Sequence, residues 1–238
     1  MTGSKPYQLL IFDWDGTLMD SAEKIVRCFT RAAADCGLPE PGAERGARVI
    51  GLGLLEAVTA LFPEADEQRC REVAARYREY FLELDDTPMP LFPSVRESLH
   101  DLRARGYLLA VATGKSRRGL DRVFAETGLG RLFSVSRCAD ETRSKPHPQM
   151  LHEILETTGV VAGDALMIGD TTYDMAMAEA AGMDRLAVSY GAHPVADLLP
   201  HGPLACLNTF EEVPRWITAA AKPREATIAS VIPLIELR

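Results

Sequence analysis

A short apolar run, Gln8 to Phe12, ends abruptly in Asp13-Trp-Asp-Gly16, and no convincing strand pattern follows between Asp20 and Asp86. That interruption constrains the fold most. A brief apolar run bounded by turn residues reads as a buried strand, and such a strand needs partners. Those partners come only after residue 90. The intervening block shows helical periodicity throughout. Ile25, Phe29, Ala32 and Cys36 share one helical face, with Asp20 as a candidate cap, Glu23 three residues later and Gly37 as a stop. Leu54, Val58 and Leu61 form a second stripe, and Cys70, Val73, Tyr77 and Phe81 a third.

The proline-rich stretch Asp86-Thr-Pro-Met-Pro-Leu-Phe-Pro93 marks a boundary. Beyond it, helices and strands alternate. Val95, Leu99 and Leu102 predict a helix that stops at Gly106, followed by a strand over Tyr107 to Ala112. A helix over Gly119 to Glu126 precedes a weaker strand, Ser134 to Cys138. Met150 to Glu156 reads as a helix, Ala165 to Ile168 as a strand, Met175 to Ala181 as a helix closed by Gly182, and Leu186 to Ser189 as a strand. Alternation of this kind predicts a parallel sheet covered on both faces. The expected fold is therefore α/β: a Rossmann-like three-layer α/β/α core with a central parallel sheet, and a small all-helical domain inserted after the first strand. The expected boundaries are residues 1–19 and 91–216 for the core and 20–90 for the insertion. Residues 217–238, interrupted by Pro223 and Pro233, fit neither rhythm and form a tail of unassigned role.

Charge and composition narrow the possible partners. The net charge is −8, and the Lys and Arg residues are scattered among acids rather than gathered in a stripe, which argues against nucleic acid. No segment approaches the roughly 18 apolar residues of a membrane span, and Tyr7 to Phe12 is too short for a secretory h-region. Five cysteines (Cys28, Cys36, Cys70, Cys138 and Cys206) form no C-x-x-C pair and no regular spacing, which argues against a disulfide framework or a zinc site. The expectation is a soluble cytoplasmic protein, a monomer or homodimer, that acts on a small molecule.

Three stretches place polar residues after expected strands, where open parallel sheets bind their ligands. In Phe12-Asp-Trp-Asp-Gly-Thr-Leu18, alternate residues of an extended segment share a face, so Asp13 and Asp15 point into one pocket. Two close carboxylates resist joint ionisation, and a divalent cation relieves that repulsion. One can then act as nucleophile while the other, held protonated, acts as general acid. Gly16 permits the turn that follows. Alone, the run is equally an Asp-rich turn. In Ala112-Thr-Gly-Lys-Ser116, a hydroxyl and free backbone N–H groups at a strand-to-helix turn suit a phosphate oxygen, drawing in Thr113 and Gly114. The glycine a P-loop needs five residues before Gly114 is Leu109, which excludes that motif. Ile168-Gly-Asp-Thr-Thr-Tyr-Asp174 adds Asp170 and Asp174, oxygen donors of the type magnesium prefers. Lys145 lies between Ser144 and Pro146, where proline fixes its direction.

In this order and on these elements, the four segments resemble the haloacid dehalogenase-like hydrolase superfamily, from about Leu9 to about Trp216. The resemblance implies Asp13 as nucleophile and magnesium ligand, and Asp15 as general acid and then base, lending its backbone carbonyl to Mg²⁺. It implies Thr113 on the transferring phosphoryl group, Lys145 neutralising charge, Asp170 on the metal with Asp174 in support, and the helical insertion as a cap. An acid at position 15 points to phosphate esters rather than to dehalogenation or phosphonate cleavage. Arg48-Val-Ile-Gly-Leu-Gly-Leu54 is similar to the phosphoglycolate phosphatase branch, with Arg45 or Arg48 as a candidate for a substrate carboxylate. Sugar phosphomutase, nucleotide or pyrophosphate phosphatase, and a binding or regulatory protein on the same fold are the alternatives. The implied partner is a small phosphorylated metabolite. His100, His147, His152, His193 and His201 show no catalytic pairing and read as structural or surface residues.

Overall fold

The structure, a computed structural model, describes residues 6–219. Its centre is a six-stranded parallel sheet in the order β3-β2-β1-β4-β5-β6, the doubly wound order. The strands are β1 (Leu9–Phe12), β2 (Leu108–Thr113), β3 (Val135–Cys138), β4 (Ala165–Gly169), β5 (Asp184–Val188) and β6 (Cys206–Leu207). The α/β class expected from the alternation is the one found. β1 pairs with β2 on one side and β4 on the other, in registers that set Phe12 beside Val111 and Ile168. The direction of strand progression reverses between β1 and β4, so their carboxyl ends flank the crevice where such sheets bind ligands.

Apolar side chains cover the two faces of the sheet separately. Leu10, Phe12, Leu109, Val111, Leu166 and Ile168 pack with helices α5 (Val95–Ala104), α6 (Arg117–Thr127) and α10 (Glu212–Ala219). Leu9, Ile11, Ala110, Ala112, Ala165 and Met167 pack with α7 (Gln149–Thr158) and α8 (Thr172–Ala180). The period-2 split of each strand thus builds the three layers. A short helix, α9 (Val195–Leu198), follows β5.

Residues 22–84 form a helical unit with its own core: α1 (Ala22–Asp35), α2 (Ala43–Arg48), α3 (Leu54–Leu61) and α4 (Glu67–Glu79), the last extended by a π-helical turn, Tyr80–Leu84. Ile25, Phe29, Val58, Leu61, Val73 and Phe81 are all buried in it. The three expected stripes lie on α1, α3 and α4 with that turn. The cap of α1 differs from expectation. Ser21, not Asp20, is the N-cap residue, and its hydroxyl makes no cap hydrogen bond because it donates to Asp15 instead. At the other end of the chain, α10 runs three residues past the boundary expected at 216, with Ile217 buried in the core. The rest of the predicted tail lies outside the described residues.

Candidate active site

The site is assembled where β1, β2 and β4 end. Beyond Phe12 the chain stays extended, and its alternation separates three side chains. Trp14 turns into the core against Phe124 and Phe133, while Asp13 and Asp15 turn to the crevice. The Asp13 N–H donates to the Ile168 carbonyl at 2.9 Å, which carries the β1–β4 ladder one residue past the strand. Gly16 then turns with φ +79°, and a Cβ there would lie 2.1 Å from Asp170 Oδ2. Both the backbone angle and the closeness of the Asp170 carboxylate require glycine.

Asp170 follows β4. Its Oδ1 accepts from the Thr17 hydroxyl at 2.7 Å and its Oδ2 from the Ala192 N–H at 2.7 Å. Asp174 occupies the first turn of α8, where it and Thr171 form a reciprocal capping box. Its Oδ1 is left to Lys145, whose Nζ lies 2.6 Å away and also 2.9 Å from Asp13 Oδ1. Lys145 is fully buried, as are Asp13, Asp170 and Asp174. Carboxylate oxygens of these three acids lie within 4.8 Å of one another. Thr113, buried at the end of β2, accepts from the Lys115 N–H at 3.2 Å. The structure thus brings the ends of β1, β2 and β4 together with Lys145.

Three carboxylates and one ammonium leave a formal charge of −2 in a buried site when all are ionised. The titration of the acids reflects that surplus. Burial pushes the Asp13 carboxyl well above the usual carboxylate range; Lys145 pulls it down, while Asp174 and Asp170 push it further up. Burial, with Asp174 beside it, pushes Asp170 up to about 7 against the hydrogen bonds from Ala192 and Thr17. Burial works against the charge on Lys145, but Asp13 and Asp174 outweigh it and hold the lysine protonated. Asp13 Oδ2 is buried without a hydrogen-bond partner among the described residues. An unpartnered carboxylate oxygen within an all-oxygen donor set short of two positive charges fits a hard divalent cation.

Two neighbours of the site carried no sequence signal of their role. Lys115 Nζ lies 2.9 Å from Asp15 Oδ1 and 4.6 Å from the Phe81 ring centroid, with only 6% of its side chain exposed. Ser21 donates to the same Asp15 oxygen at 2.5 Å. Lys115 stands in the stretch that drew attention to Thr113 and Gly114, but its partner is 100 residues earlier in the chain, so spacing alone does not reveal it.

Arg48, a candidate for a substrate carboxylate, is directed elsewhere. Its guanidinium pairs with Asp197, its carbonyl accepts from the Tyr173 hydroxyl at 2.9 Å, and His193 Nε2 lies 3.2 Å from that same oxygen. Arg48 does not line the cavity above Asp13 and Asp15. Arg45 donates to the Leu61 carbonyl within the helical unit. His193, read as structural, is buried and also accepts from the Thr172 N–H through Nδ1. These contacts seat residues 48–53 on the core. Gly53 N–H donates to Ser144 Oγ at 2.7 Å, and a Cβ on Gly114 would lie 2.5 Å from the Leu52 carbonyl oxygen.

Carboxylates converging with a buried lysine at the switch point of a doubly wound sheet, beside a helical insertion, fit a hydrolase of the α/β class. Residues 10–188 match the family described as haloacid dehalogenase-like hydrolase. The chain is 34% identical over 209 residues to the probable phosphatase IndB of Dickeya dadantii, covering 86% of this chain and 91% of that one. It is 30% identical to a plasmid-borne phosphoglycolate phosphatase of Cupriavidus necator, covering 92% and 96% of the two chains. A crystal structure of a predicted phosphoglycolate phosphatase from Haemophilus somnus superposes with a TM-score of 0.80 at 25% identity, covering 90% of this chain and 99% of that one. The chain belongs to the haloacid dehalogenase-like hydrolases, in their phosphoglycolate phosphatase-like branch of phosphatases.

Proposed function

We propose that the protein is a magnesium-dependent phosphatase that hydrolyses a small phosphate monoester through an aspartyl-phosphate on Asp13. The observation that carries this reading is the Asp13 carboxylate itself: one oxygen is held by Lys145, and the other is buried and has no hydrogen-bond partner among the described residues. A nucleophile must be oriented by one contact and left free to react through another. Asp13, Asp170 and the main-chain carbonyl of Asp15 would hold Mg²⁺, with Asp174 in support. When bound, the ion neutralises charge on the carboxylates and on the phosphoryl oxygens.

In the first step Asp13 forms a bond to phosphorus as the bond to the leaving oxygen breaks, and Asp15 gives its proton to that oxygen. Asp15 then takes a proton from water. The resulting hydroxide attacks the aspartyl-phosphate, releasing phosphate and restoring the Asp13 carboxylate. Lys145 stabilises charge on the nucleophile and the phosphoryl group, and Thr113 and Gly114 contact the phosphoryl oxygens. Lys115 and Ser21 hold the Asp15 carboxylate on its leaving-group side. The helical unit acts as the cap that covers the substrate, excludes water and selects the alcohol. Arg48 contributes to seating that cap rather than to binding substrate.

No described helix is long and apolar enough to cross a membrane. With five free cysteines, we place the protein in the reducing cytoplasm.

The test is phosphate release from a panel of esters, headed by 2-phosphoglycolate, the substrate in the names of several relatives. The panel is run with Mg²⁺ and with EDTA, on the wild type and on Asp13→Asn. Release that needs Mg²⁺ and is lost by at least about a thousandfold in Asp13→Asn supports the reading. Undiminished turnover by that variant removes Asp13 as nucleophile.

A further inference from the structure

The cavity above Asp13 and Asp15 is larger and more apolar than a two-carbon hydroxy acid needs. Its volume is about 450 Å³, within the roughly 300–1,000 Å³ range that takes drug-sized ligands. The core supplies its polar floor through Asp13, Asp15 and Lys115. The helical unit supplies the opposite wall: Ile25 and Phe29 from α1, Val49 and Ile50 after α2, Tyr77 from α4 and Phe81 from the π-helical turn. Five of these six are buried, and Tyr77 is half-buried. Phe29, Tyr77 and Phe81 form a continuous aromatic row, with ring centroids 4.3 Å and 5.6 Å apart.

These six side chains are uncharged, although Glu56 of α3 and Arg78 of α4 also line the cavity from the helical unit. Those two, with Arg118 and Asp140, are exposed and balance in sign. Lys115 is engaged by Asp15 and Phe81, Arg48 by Asp197 and Arg45 by the Leu61 carbonyl. A carboxylate pressed against these six side chains would lose its hydration without gaining a cation. An apolar body there would be removed from water by side chains already in place. The Tyr77 hydroxyl makes no hydrogen bond among the described residues, so the row offers one polar atom to meet one oxygen of an otherwise apolar alcohol.

We infer that the preferred leaving group is a largely apolar alcohol, alkyl or aryl, and not a hydroxy acid or a polyol. This rests on the phosphatase reading above. The full-length protein with Mg²⁺ is assayed on ethyl, butyl and hexyl phosphate, glucose 6-phosphate and 2-phosphoglycolate. The three alkyl esters have closely matched leaving groups, so their differences report binding of the chain. kcat/KM is expected to rise by about fourfold per added methylene, with hexyl phosphate exceeding 2-phosphoglycolate by at least about tenfold. Leu54→Arg, which adds a cation to a half-buried position of the lining, is expected to reverse that last preference. A flat alkyl series with 2-phosphoglycolate or glucose 6-phosphate preferred overturns the inference and leaves the phosphatase reading standing. Hydrolysis of no ester removes the phosphatase reading instead. The cavity is then decided by calorimetry with two non-hydrolysable phosphonates: tighter hexylphosphonate sustains the apolar assignment, and tighter phosphonoacetate overturns it.

Discussion

Replacing Lys115 by methionine tests leaving-group protonation when read through kcat/KM, which reports the reaction only as far as the aspartyl-phosphate and not the later proton transfer from water to Asp15. The substitution removes the ammonium 2.9 Å from Asp15 Oδ1 and keeps a flexible apolar stem against Phe81. The two side chains are 6% and 9% exposed, so water does not readily replace the lost contact. A hydrogen bond between charged partners is worth about 1.5–3 kcal/mol, which corresponds to about 10- to 150-fold in rate if it is needed only while Asp15 delivers its proton. The assay compares two substrates. Ethyl phosphate releases an alkoxide that must be protonated; 4-nitrophenyl phosphate releases a phenolate that departs without a proton. Lys115→Met should lower kcat/KM for ethyl phosphate by that 10- to 150-fold and for 4-nitrophenyl phosphate by no more than about threefold. Equal losses on both substrates would refute the reasoning, because Lys115 would then serve phosphoryl binding or simple packing. Unchanged values on both would remove it from the reaction altogether.

Three further outcomes follow from the same geometry. Lys145→Met leaves Asp13 and Asp174 buried without their cation, so metal-free stability in urea should fall by about 3–5 kcal/mol and Mg²⁺ should restore part of it; an unchanged midpoint would show that the lysine does not balance those acids. Gly114→Ala puts a Cβ 2.5 Å and 2.6 Å from the Leu52 and Gly51 carbonyl oxygens, so the 48–53 loop cannot seat and kcat/KM should drop by about a hundredfold with little change in Tm; wild-type activity would mean that closure does not use this contact. Because the raised Asp170 pKa, about 7, lies above its unfolded value of about 3.9, the folded metal-free protein holds a proton that the unfolded chain has released. Its stability therefore falls as pH rises through that window, and the Tm gained on adding Mg²⁺ should be larger at pH 8 than at pH 5.5; a larger gain at pH 5.5 would contradict this sign.

The parts of the molecule legible in the sequence are those written in local periodicity. Alternation set Asp13 and Asp15 on one side of Trp14, and the structure keeps them there because Trp14 has a core to enter. The strand-helix rhythm after residue 93 gave the parallel sheet. What the sequence did not show lacked a local pattern. Helix α2, Ala-Glu-Arg-Gly-Ala-Arg, carries no apolar stripe and buries only Gly46. β6 is two residues long and exists only because β5 offers it an edge. Phe81 keeps its place in the third stripe although the chain widens into a π-helical turn after Glu79.

The two cations Arg48 and Lys115 show where such reading stops. Both are basic residues beside a glycine-containing loop, and nothing in their neighbours ranks one above the other. Tertiary structure assigns them oppositely. Arg48 ends a short helix on the side of the loop that faces α9, so Asp197 takes its charge and only its carbonyl meets the core. Lys115 follows β2 directly and is carried to the strand-end crevice, where Asp15 is the nearest acid and Phe81 closes over it. A guanidinium with 46% of its side chain exposed in a surface pair contributes little, roughly 0–1 kcal/mol, and can be exchanged at small cost. An ammonium sealed between a carboxylate and an aromatic ring cannot, because each neighbour would be left with an interaction it has no water to replace. The functional weight of a charge in this protein is set by what excludes water from it, and that depends on the packing of the helical unit against the core.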